Sequence, residues 1–540
     1  MEIFMSGQKR FFSGMLLLTF SNILIKAVGL LFKIPLTNLI GETGMGYFNS
    51  AYTIYAWFYM LTTAGLSVAV SMLVSEYRAR ANSKQIKIVL RTVLLLFFAI
   101  GLVGTLIMVI GADKLAAFIR APEAAVCIAA IAPSLFFSCL SSALRGYFQG
   151  YQVMFPTAVS QIMEACGKLF IGISIAKYTL SLGMEISEVA ACALLGIAVG
   201  IAAGFLFLCG TKFFFNEKKY DMEYTRLEGD GDEVLPARRI AVRLVKIAVP
   251  ITISSSVMSL TNIFDTLIMT DRLMAFGYTN AEAIKIYGNY TSLAVPMFNL
   301  PPVLIYAITY SVVPLITASI TRREYDEAKR YMHSSIKLTS LIAMPCAIGL
   351  GVLSYQILSL FFAKELVDNG ASMLTVLAPS VFFVCMLSIT NAILQANGHE
   401  RKPISSMLVG SLVKLCASYL LIPVLGKHGS PVGTFLCYAT IVVMNMYFVA
   451  KYAGVVPSIS DVYIKPLAAG ALCGVTALGV CHILSPRIGL TLSTVSAILA
   501  AAVVYVAAIL IMKCLNKEDI MILPKGEKIY GILKKIKVVK

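Results

Sequence analysis

The stretch APSLFFSCLSSALRGYFQGYQVMFPTAVSQIMEACGKL at Ala132–Leu169 decides the fold. A second stretch, APSVFFVCMLSITNAILQANGHERKPISSMLVGSLVKL at Ala378–Leu415, repeats it at a fixed offset of 246 positions without a gap. Each copy predicts an apolar helix, a short polar turn and a second apolar helix that contains one lysine. The matched pairs include residue types that shared hydrophobicity does not explain: Pro133 and Pro379, Cys139 and Cys385, Gln149 and Gln395, Lys168 and Lys414. A two-fold internal repeat of this kind is typical of secondary transporters.

The composition places the whole chain in a membrane. Of its 540 residues, 58% are hydrophobic and only 14% are charged, whereas a soluble protein carries about 25% charged residues. A spanning helix needs about 20 apolar residues, so the chain has room for many. The apolar runs are continuous and do not alternate over about ten residues, which excludes a β-barrel. The prediction is an all-α polytopic membrane protein.

Fourteen apolar segments divide the chain into two halves and two further helices. The predicted segments are 11–40, 47–75, 88–112, 124–148, 156–178, 187–210, 241–270, 284–320, 333–362, 371–396, 403–425, 430–453, 462–484 and 490–512. They predict an N-lobe of six helices at 1–210, a linker at 211–240, a C-lobe of six helices at 241–453, helices thirteen and fourteen at 454–514, and a basic tail at 515–540. Because six is even, both lobes enter the membrane in the same direction, as two pseudo-symmetric bundles around a central cavity.

The basic residues orient the chain. The net charge is +17, and the Lys and Arg residues fall in short connections and in the tail, which argues against a nucleic-acid partner. With the N-terminus in the cytoplasm, the large majority of the 45 Lys and Arg residues lie on the inner side. The positive-inside rule therefore predicts a multi-pass protein of the cell membrane, in contact with the lipid bilayer, with both termini cytoplasmic.

Signals for metals, cofactors and enzymatic chemistry are missing from the sequence. The 12 cysteines are scattered through apolar runs without a CxxC pair, which is typical of small packing residues. The four histidines are far apart, so we expect no metal site. Because no Walker loop or nucleophile elbow occurs, we expect a protein without cofactors that is not an enzyme.

Seven of the polar residues inside predicted spanning segments are candidate site residues, because a central charge there costs about 2.5–3.5 kcal/mol on insertion scales. Four are cations that we predict to bind substrate: Lys26, Lys33, Lys168 and Lys414. Three are predicted to balance charge or couple an ion: Glu164, Asp265 and Asn262. Interior cations that outnumber interior acids predict an anionic cargo.

Two of these assignments have an alternative that the sequence leaves open. Glu164 and Lys168 are spaced i,i+4 and would neutralise each other as a structural pair. Lys33 lies near the predicted end of its helix, so it can also extend to the membrane surface.

Three stretches resemble the MOP superfamily of flippases and exporters: FKIPLTNLIGETGMGYFNSAYTIY (Phe32–Tyr55), LRGYFQGYQVMFPTAVSQIMEACGK (Leu144–Lys168) and SLTNIFDTLIMTDRL (Ser259–Leu273). Within it, the chain is similar to the polysaccharide-transporter branch that includes stage V sporulation protein B and the MurJ-like lipid II flippases. The resemblance covers essentially the whole chain and implies a MOP flippase fold of fourteen helices. Helices thirteen and fourteen would form a groove for a lipid tail.

The resemblance also implies a function. It is the movement of an undecaprenyl-diphosphate-linked saccharide, such as a lipid II-like peptidoglycan precursor, across the cytoplasmic membrane by alternating access. Cell wall, spore cortex or polysaccharide synthesis would use the product. Lys26, Lys168 and Lys414 would contact the diphosphate, and a coupling ion (Na⁺ or H⁺) or the membrane potential would supply the energy. Three alternatives remain at this point: a multidrug/cation antiporter of the same superfamily, an integral-membrane enzyme acting on lipid-linked sugars, and a non-transporting component of envelope assembly.

Overall fold

The computed structural model describes residues 2–80, 82–215, 235–514, 516 and 519. The predicted linker at 211–240 lies largely outside the described residues, as does the predicted tail at 515–540 apart from Asn516 and Asp519. The described chain forms two compact units. Unit 1 comprises Met1–Thr270 and Asn280–Gly288, and unit 2 comprises Asp271–Thr279 and Asn289–Lys540.

Unit 1 is built from the first nine helices among the described residues. They are α1 Glu2–Ala79, α2 Ser83–Ile110, α3 Ala112–Phe118, α4 Ala125–Gly150, α5 Phe155–Gly167, α6 Ile173–Ser181, α7 Ile186–Phe214, α8 Ala237–Phe276 as far as Thr270, and α9 Asn280–Asn289 as far as Gly288. A π-helical turn, Lys168–Gly172, joins α5 to α6. The most enclosed helix is α4, which packs against α1, α2 and α7.

Unit 2 contains the other helices that the structure describes. They are α10 Val295–Phe298, α11 Leu300–Thr321, α12 Tyr325–Val352, α13 Ser354–Ser359, α14 Lys364–Leu377, α15 Pro379–Ala396, α16 Arg401–Leu425, α17 Gly429–Phe448 and α18 Lys465–Ile511. Here α12 is central and packs against α11, α15 and α18. Each copy of the sequence repeat therefore lies within one unit, as α4 and α5 in unit 1 and as α15 and α16 in unit 2.

Nine helical ranges within the described residues are long and apolar enough to cross a membrane. Three of them, 24–78, 401–453 and 460–511, exceed 50 residues. At 1.5 Å per residue each would measure about 75 Å, more than twice the hydrocarbon thickness, so each is long enough to cross twice. Each contains one glycine with a positive φ: Gly41, Gly426 and Gly489. The all-α polytopic fold class is confirmed, and the count of fourteen crossings stays a prediction.

Glycines bring α7 into direct backbone contact with the α5–α6 segment. A Cβ added at Gly196 would lie 2.2 Å from the Gly172 Cα, and one added at Gly167 would lie 2.3 Å from the Gly200 Cα. Small residues that repeat every four positions on one helix allow such close approach in membranes, where van der Waals packing drives helix association. Gly167 and Gly172 are five positions apart, one more than the four-residue spacing on α7. The π-helical turn that begins at Lys168 accommodates this additional residue.

A buried ion pair fixes part of unit 2. The Lys337 Nζ of α12 lies 2.8 Å from the Asp519 Oδ2, and both side chains are almost completely buried. The same carboxylate oxygen accepts a hydrogen bond of 2.9 Å from the Asn516 backbone N–H. Breaking a buried pair on one side leaves an uncompensated charge. The pair therefore ties the chain just after α18 to the middle of the unit.

Replacing Gly196 by alanine should destabilise unit 1, because the new methyl group meets backbone atoms that cannot rotate away. Overpacking of this kind costs about 1–3 kcal/mol. Gly210→Ala is the matched control on the same helix, since a Cβ at Gly210 meets nothing within 4 Å. Thermal unfolding in detergent micelles checks the difference. Equal midpoints for the two variants would refute close packing at Gly196.

Single removal of either partner of the Lys337–Asp519 pair should cost about 3–5 kcal/mol of unfolding free energy. The double variant K337M/D519L should recover most of that loss, because no lone charge remains buried. Chemical unfolding in micelles measures all three variants. The control is Arg80→Ala, which breaks a largely exposed pair with Glu76 and should cost only about 0–1 kcal/mol. Additive losses in the double variant would contradict the pairing.

Candidate substrate-binding site

The ammonium group of Lys168 lies between two aromatic rings inside unit 1. Its Nζ is 4.7 Å from the centroid of the Phe32 ring and 5.3 Å from that of Tyr52. A cation above an aromatic face is attracted by the ring quadrupole, by about 2 kcal/mol or more when desolvated. Lys168 is half-buried and makes no ion pair with an acidic side chain in the part of the chain that the structure describes. We call Lys168, Lys33, Phe32 and Tyr52 the Lys168 cluster.

Local sequence places this cluster. Lys168 is the first residue of the π-helical turn that follows α5, and such turns recur at functional sites. The turn lies where Gly167 packs on α7, which leaves the Lys168 side chain directed at α1. Phe32 and Tyr52 lie on α1 on opposite sides of its bend at Gly41. The bend thus allows one helix to supply both rings.

A second cation belongs to the cluster. Lys33 follows Phe32 directly, and its ammonium is close enough to Lys168 for electrostatic repulsion. Two unit charges 4 Å apart interact by about 4 kcal/mol at an effective dielectric constant of 20. An arrangement that holds like charges together inside an apolar unit is stabilised when an anion binds there. The cluster can therefore hold a phosphate-like group by charge.

An ion pair adjoins the cluster one helical turn earlier on α5. Arg145 Nη2 donates to Glu164 Oε1 at 2.5 Å, and Arg145 Nε donates to Ser160 Oγ at 3.0 Å. The Arg145 side chain is only 8% exposed and that of Glu164 is 23% exposed. Glu164 therefore pairs with Arg145 and not with Lys168, so the i,i+4 structural pair considered above does not form.

Tyrosines of α1 continue the surface from the cluster toward this ion pair. The rings of Tyr52, Tyr55 and Tyr59 follow one another with centroids 5.8 and 6.0 Å apart. Tyr55 is buried and bonded to Ser138 at 3.0 Å, whereas 38% of Tyr52 is exposed. Tyr59 lies within electrostatic range of both Arg145 and Glu164. The exposed Tyr52 thus offers a hydroxyl group on the same side chain whose ring contacts Lys168.

The remaining predicted residues are not part of the Lys168 cluster. Lys26 is exposed on α1, two turns before Lys33. On α8, Asp265 is half-buried and Asn262 is exposed, and the Asn262 carbonyl accepts a hydrogen bond from Thr266. Lys414 is half-buried on α16 and belongs to unit 2, whereas the other six belong to unit 1. The structure thus brings together Lys33 and Lys168, with Glu164 one turn away.

Sequence reasoning missed Arg145 and the tyrosines. Arg145 was counted with the cytoplasmic cations, although predicted segment 124–148 includes it; in the structure it lies within α4 and is buried. Its position inside that segment was the available signal that it is an interior charge. The tyrosines at 52, 55 and 59 share one helical face, a spacing that was visible but equally typical of ordinary packing.

Comparison with known proteins places the chain in a family. The family model of polysaccharide biosynthesis proteins matches residues 11–320, more than half of the chain. The chain belongs to this family. A second family model, MatE, matches residues 250–420. The chain is therefore a membrane protein of the MOP superfamily, as the resemblance predicts.

Individual relatives extend over nearly the whole chain. Stage V sporulation protein B of Bacillus subtilis (strain 168) is 23% identical over 96% of this chain and 98% of its own length. The lipid II flippase MurJ of the same organism is 21% identical, with 82% of each protein covered. Among solved structures, the inward closed conformation of a lipid II flippase MurJ aligns with a TM-score of 0.69 at 13% identity, covering 92% of this chain and 98% of that one. These likenesses show the fold and the membrane setting of a transporter superfamily.

The ion pair between Arg145 and Glu164 can be tested by mutating both residues. Arg145→Met should destabilise unit 1 by about 3–5 kcal/mol, because Glu164 is left buried without a cation. The double variant R145M/E164M removes both charges and should be markedly more stable than R145M. Unfolding in micelles measures the coupling between the two sites. A coupling free energy near zero in this double-mutant cycle would contradict the pairing.

Proposed function

We propose that this protein moves an undecaprenyl-diphosphate-linked saccharide across the cytoplasmic membrane by alternating access. The observation that carries the proposal is the Lys168 cluster, in which Lys168 lies against two aromatic rings and within electrostatic range of a second cation, Lys33. A diphosphate carries about two negative charges and cannot cross hydrocarbon unaided, given a cost of several kcal/mol per charge. Cations fixed within a spanning unit offset that cost.

The chemistry of the cluster fits a lipid-linked sugar in further respects. The half-exposed Tyr52 offers a hydroxyl and a ring face next to Lys168, which suits a polar saccharide. The sequence similarity to stage V sporulation protein B and to the lipid II flippase MurJ supports a precursor of cell wall, spore cortex or polysaccharide as the cargo. The lipid tail stays in the bilayer. Its proposed groove is formed by the two predicted segments 462–484 and 490–512, which correspond largely to α18 in the structure.

The other predicted residues keep their proposed roles. Lys26 and Lys414 are further contacts for the diphosphate, and Asp265 with Asn262 couples an ion. Glu164 balances the charge of Arg145 beside the cluster. Na⁺, H⁺ or the membrane potential supplies the driving force, and both termini are placed in the cytoplasm.

A multidrug/cation antiporter is the second candidate, favoured by the match of the MatE family model to residues 250–420. Such a protein exports cations, which the paired lysines of the Lys168 cluster would repel. Drug-resistance assays in a strain that lacks its own exporters separate the two functions. Resistance to cationic drugs without movement of lipid-linked sugar would replace the proposed function with this one.

Neutralising the cluster should abolish transport while the protein folds normally. K33Q/K168Q should lower the rate of head-group transfer at least about 100-fold, because each of the two lost cations removes more than about 1.4 kcal/mol of stabilisation of the crossing diphosphate. The measurement is the accessibility of a labelled undecaprenyl-diphosphate-linked glycan in liposomes, with and without a membrane voltage. Complementation of a flippase-depleted strain at normal protein level is the cellular readout.

Lys177→Gln is the matched control for this experiment. Lys177 lies nine residues after Lys168 on α6, is exposed, and is outside the cluster. It should transport at the wild-type rate, and K168R should retain more activity than K168Q because the charge remains. Full activity of K33Q/K168Q, or equal loss in the Lys177 variant, would overturn the assignment of the cluster.

A further inference from the structure

A cavity of about 460 Å³ opens on the side of unit 1. None of the residues that line it belongs to the Lys168 cluster. It lies among α2, α4 and α7, and its volume falls within the range of about 300–1,000 Å³ common for small-molecule sites. Its lining combines cations with leucines and one tyrosine: Lys87, Leu90, Arg91, Leu94, Leu95, Tyr147 and Lys212. We call it the α2–α7 cavity.

Three cations converge on this cavity from two helices. Lys87 and Arg91 are exposed on α2, and neither is paired with an acidic side chain within the described residues. They are spaced i,i+4, a position at which like charges destabilise a helix unless an anion lies between them. Lys212 approaches from α7, where its Nζ donates to the Tyr147 hydroxyl at 2.7 Å and lies 4.3 Å from the ring centroid. The cavity therefore presents positive charge, above all from Lys87 and Arg91.

The leucines extend from the cations along the same stripe of α2. Leu90, Leu94 and Leu95 follow Lys87 at i+3, i+7 and i+8, so they share its helical face. Leu95 is 64% exposed. The stripe thus changes from charged to apolar within about two helical turns, or about 10 Å. An amphiphile with an anionic head and acyl chains matches that order, whereas a free anion would contact only the charged part of the stripe.

The cavity lies at the end of unit 1 that the charge distribution places in the cytoplasm. Lys87 and Arg91 lie near the start of α2, next to the basic connection that follows α1, and Lys212 lies in the last turn of α7, where a predicted basic stretch begins. Lys and Arg side chains near the ends of membrane helices extend to the level of the lipid head groups. We therefore expect these cations at the depth of the phosphates.

We propose that the α2–α7 cavity binds the phosphate head of an anionic phospholipid from the cytoplasmic leaflet. The Arg91 guanidinium binds two phosphate oxygens, since its planar fork matches that geometry, and Lys87 and Lys212 contact the same head group. The acyl chains run along Leu94 and Leu95. Basic pockets between membrane helices on the cytoplasmic side bind such lipids in general. This site is independent of the cargo site and of the proposed function.

Native mass spectrometry of the purified full-length protein tests the proposal. Delipidated protein is titrated with phosphatidylglycerol, and the bound lipids are counted. K87Q/R91Q should bind phosphatidylglycerol about 30-fold more weakly at the tightest site, because two charges near the surface are lost. R238Q/K246Q is the matched control, since it removes two exposed cations of the same predicted side from outside the cavity. It should bind like the wild type.

Further probes separate the possible ligands. Phosphatidylcholine and inorganic phosphate should bind the wild type weakly, and undecaprenyl diphosphate should not displace phosphatidylglycerol one for one. Equal binding by K87Q/R91Q and the control overturns the proposal, as does inorganic phosphate that competes as well as the lipid. One-for-one displacement by undecaprenyl diphosphate would assign the cavity to the cargo. If K87Q/R91Q is not monodisperse, R91Q alone gives the same comparison and should still bind several-fold more weakly.

Discussion

A charge inside a membrane helix needs a partner, and this constraint organises both units. Buried Glu42 is met by Lys285 at 3.3 Å, Arg145 by Glu164 and Lys337 by Asp519. Lone charges at these positions would cost several kcal/mol each. Lys168 differs, because aromatic rings and a second cation surround it in place of a carboxylate. Lys168 is thus a place where a ligand can supply a negative charge.

The close packing of α7 and the geometry of the cluster share one cause. Gly196 and Gly200 allow the backbone of α7 to touch the segment at Gly167 and Gly172. Five residues separate the latter two, so an ordinary α-helix would not present both to α7. The π-helical turn resolves this mismatch, and Lys168 is its first residue. Helix packing in unit 1 therefore sets the position of a side chain that we assign to the substrate.

The two copies of the sequence repeat show how far such similarity extends. Both fold as consecutive helices, each copy within its own unit. Yet Pro133 lies inside α4, while Pro379 is the first residue of α15. Lys168 begins a π-helical turn, while Lys414 lies within a regular α-helix. Val413 stands where the first copy has Gly167, so the backbone contact that accompanies the turn in unit 1 is not available in the same form.

The sequence by itself determined the helical membrane fold, the positions of the apolar segments and the superfamily, because these depend on hydrophobic length and residue order along the chain. It also pointed to Lys33, Lys168 and Glu164 as costly interior charges. Only the tertiary structure decided their partners. Arg145 meets Glu164 across 19 positions of sequence, and Phe32 meets Lys168 across a still longer separation. Hydropathy is a property of each residue taken separately. The pairing of side chains depends instead on helix bends and glycine contacts that bring distant positions of the sequence together.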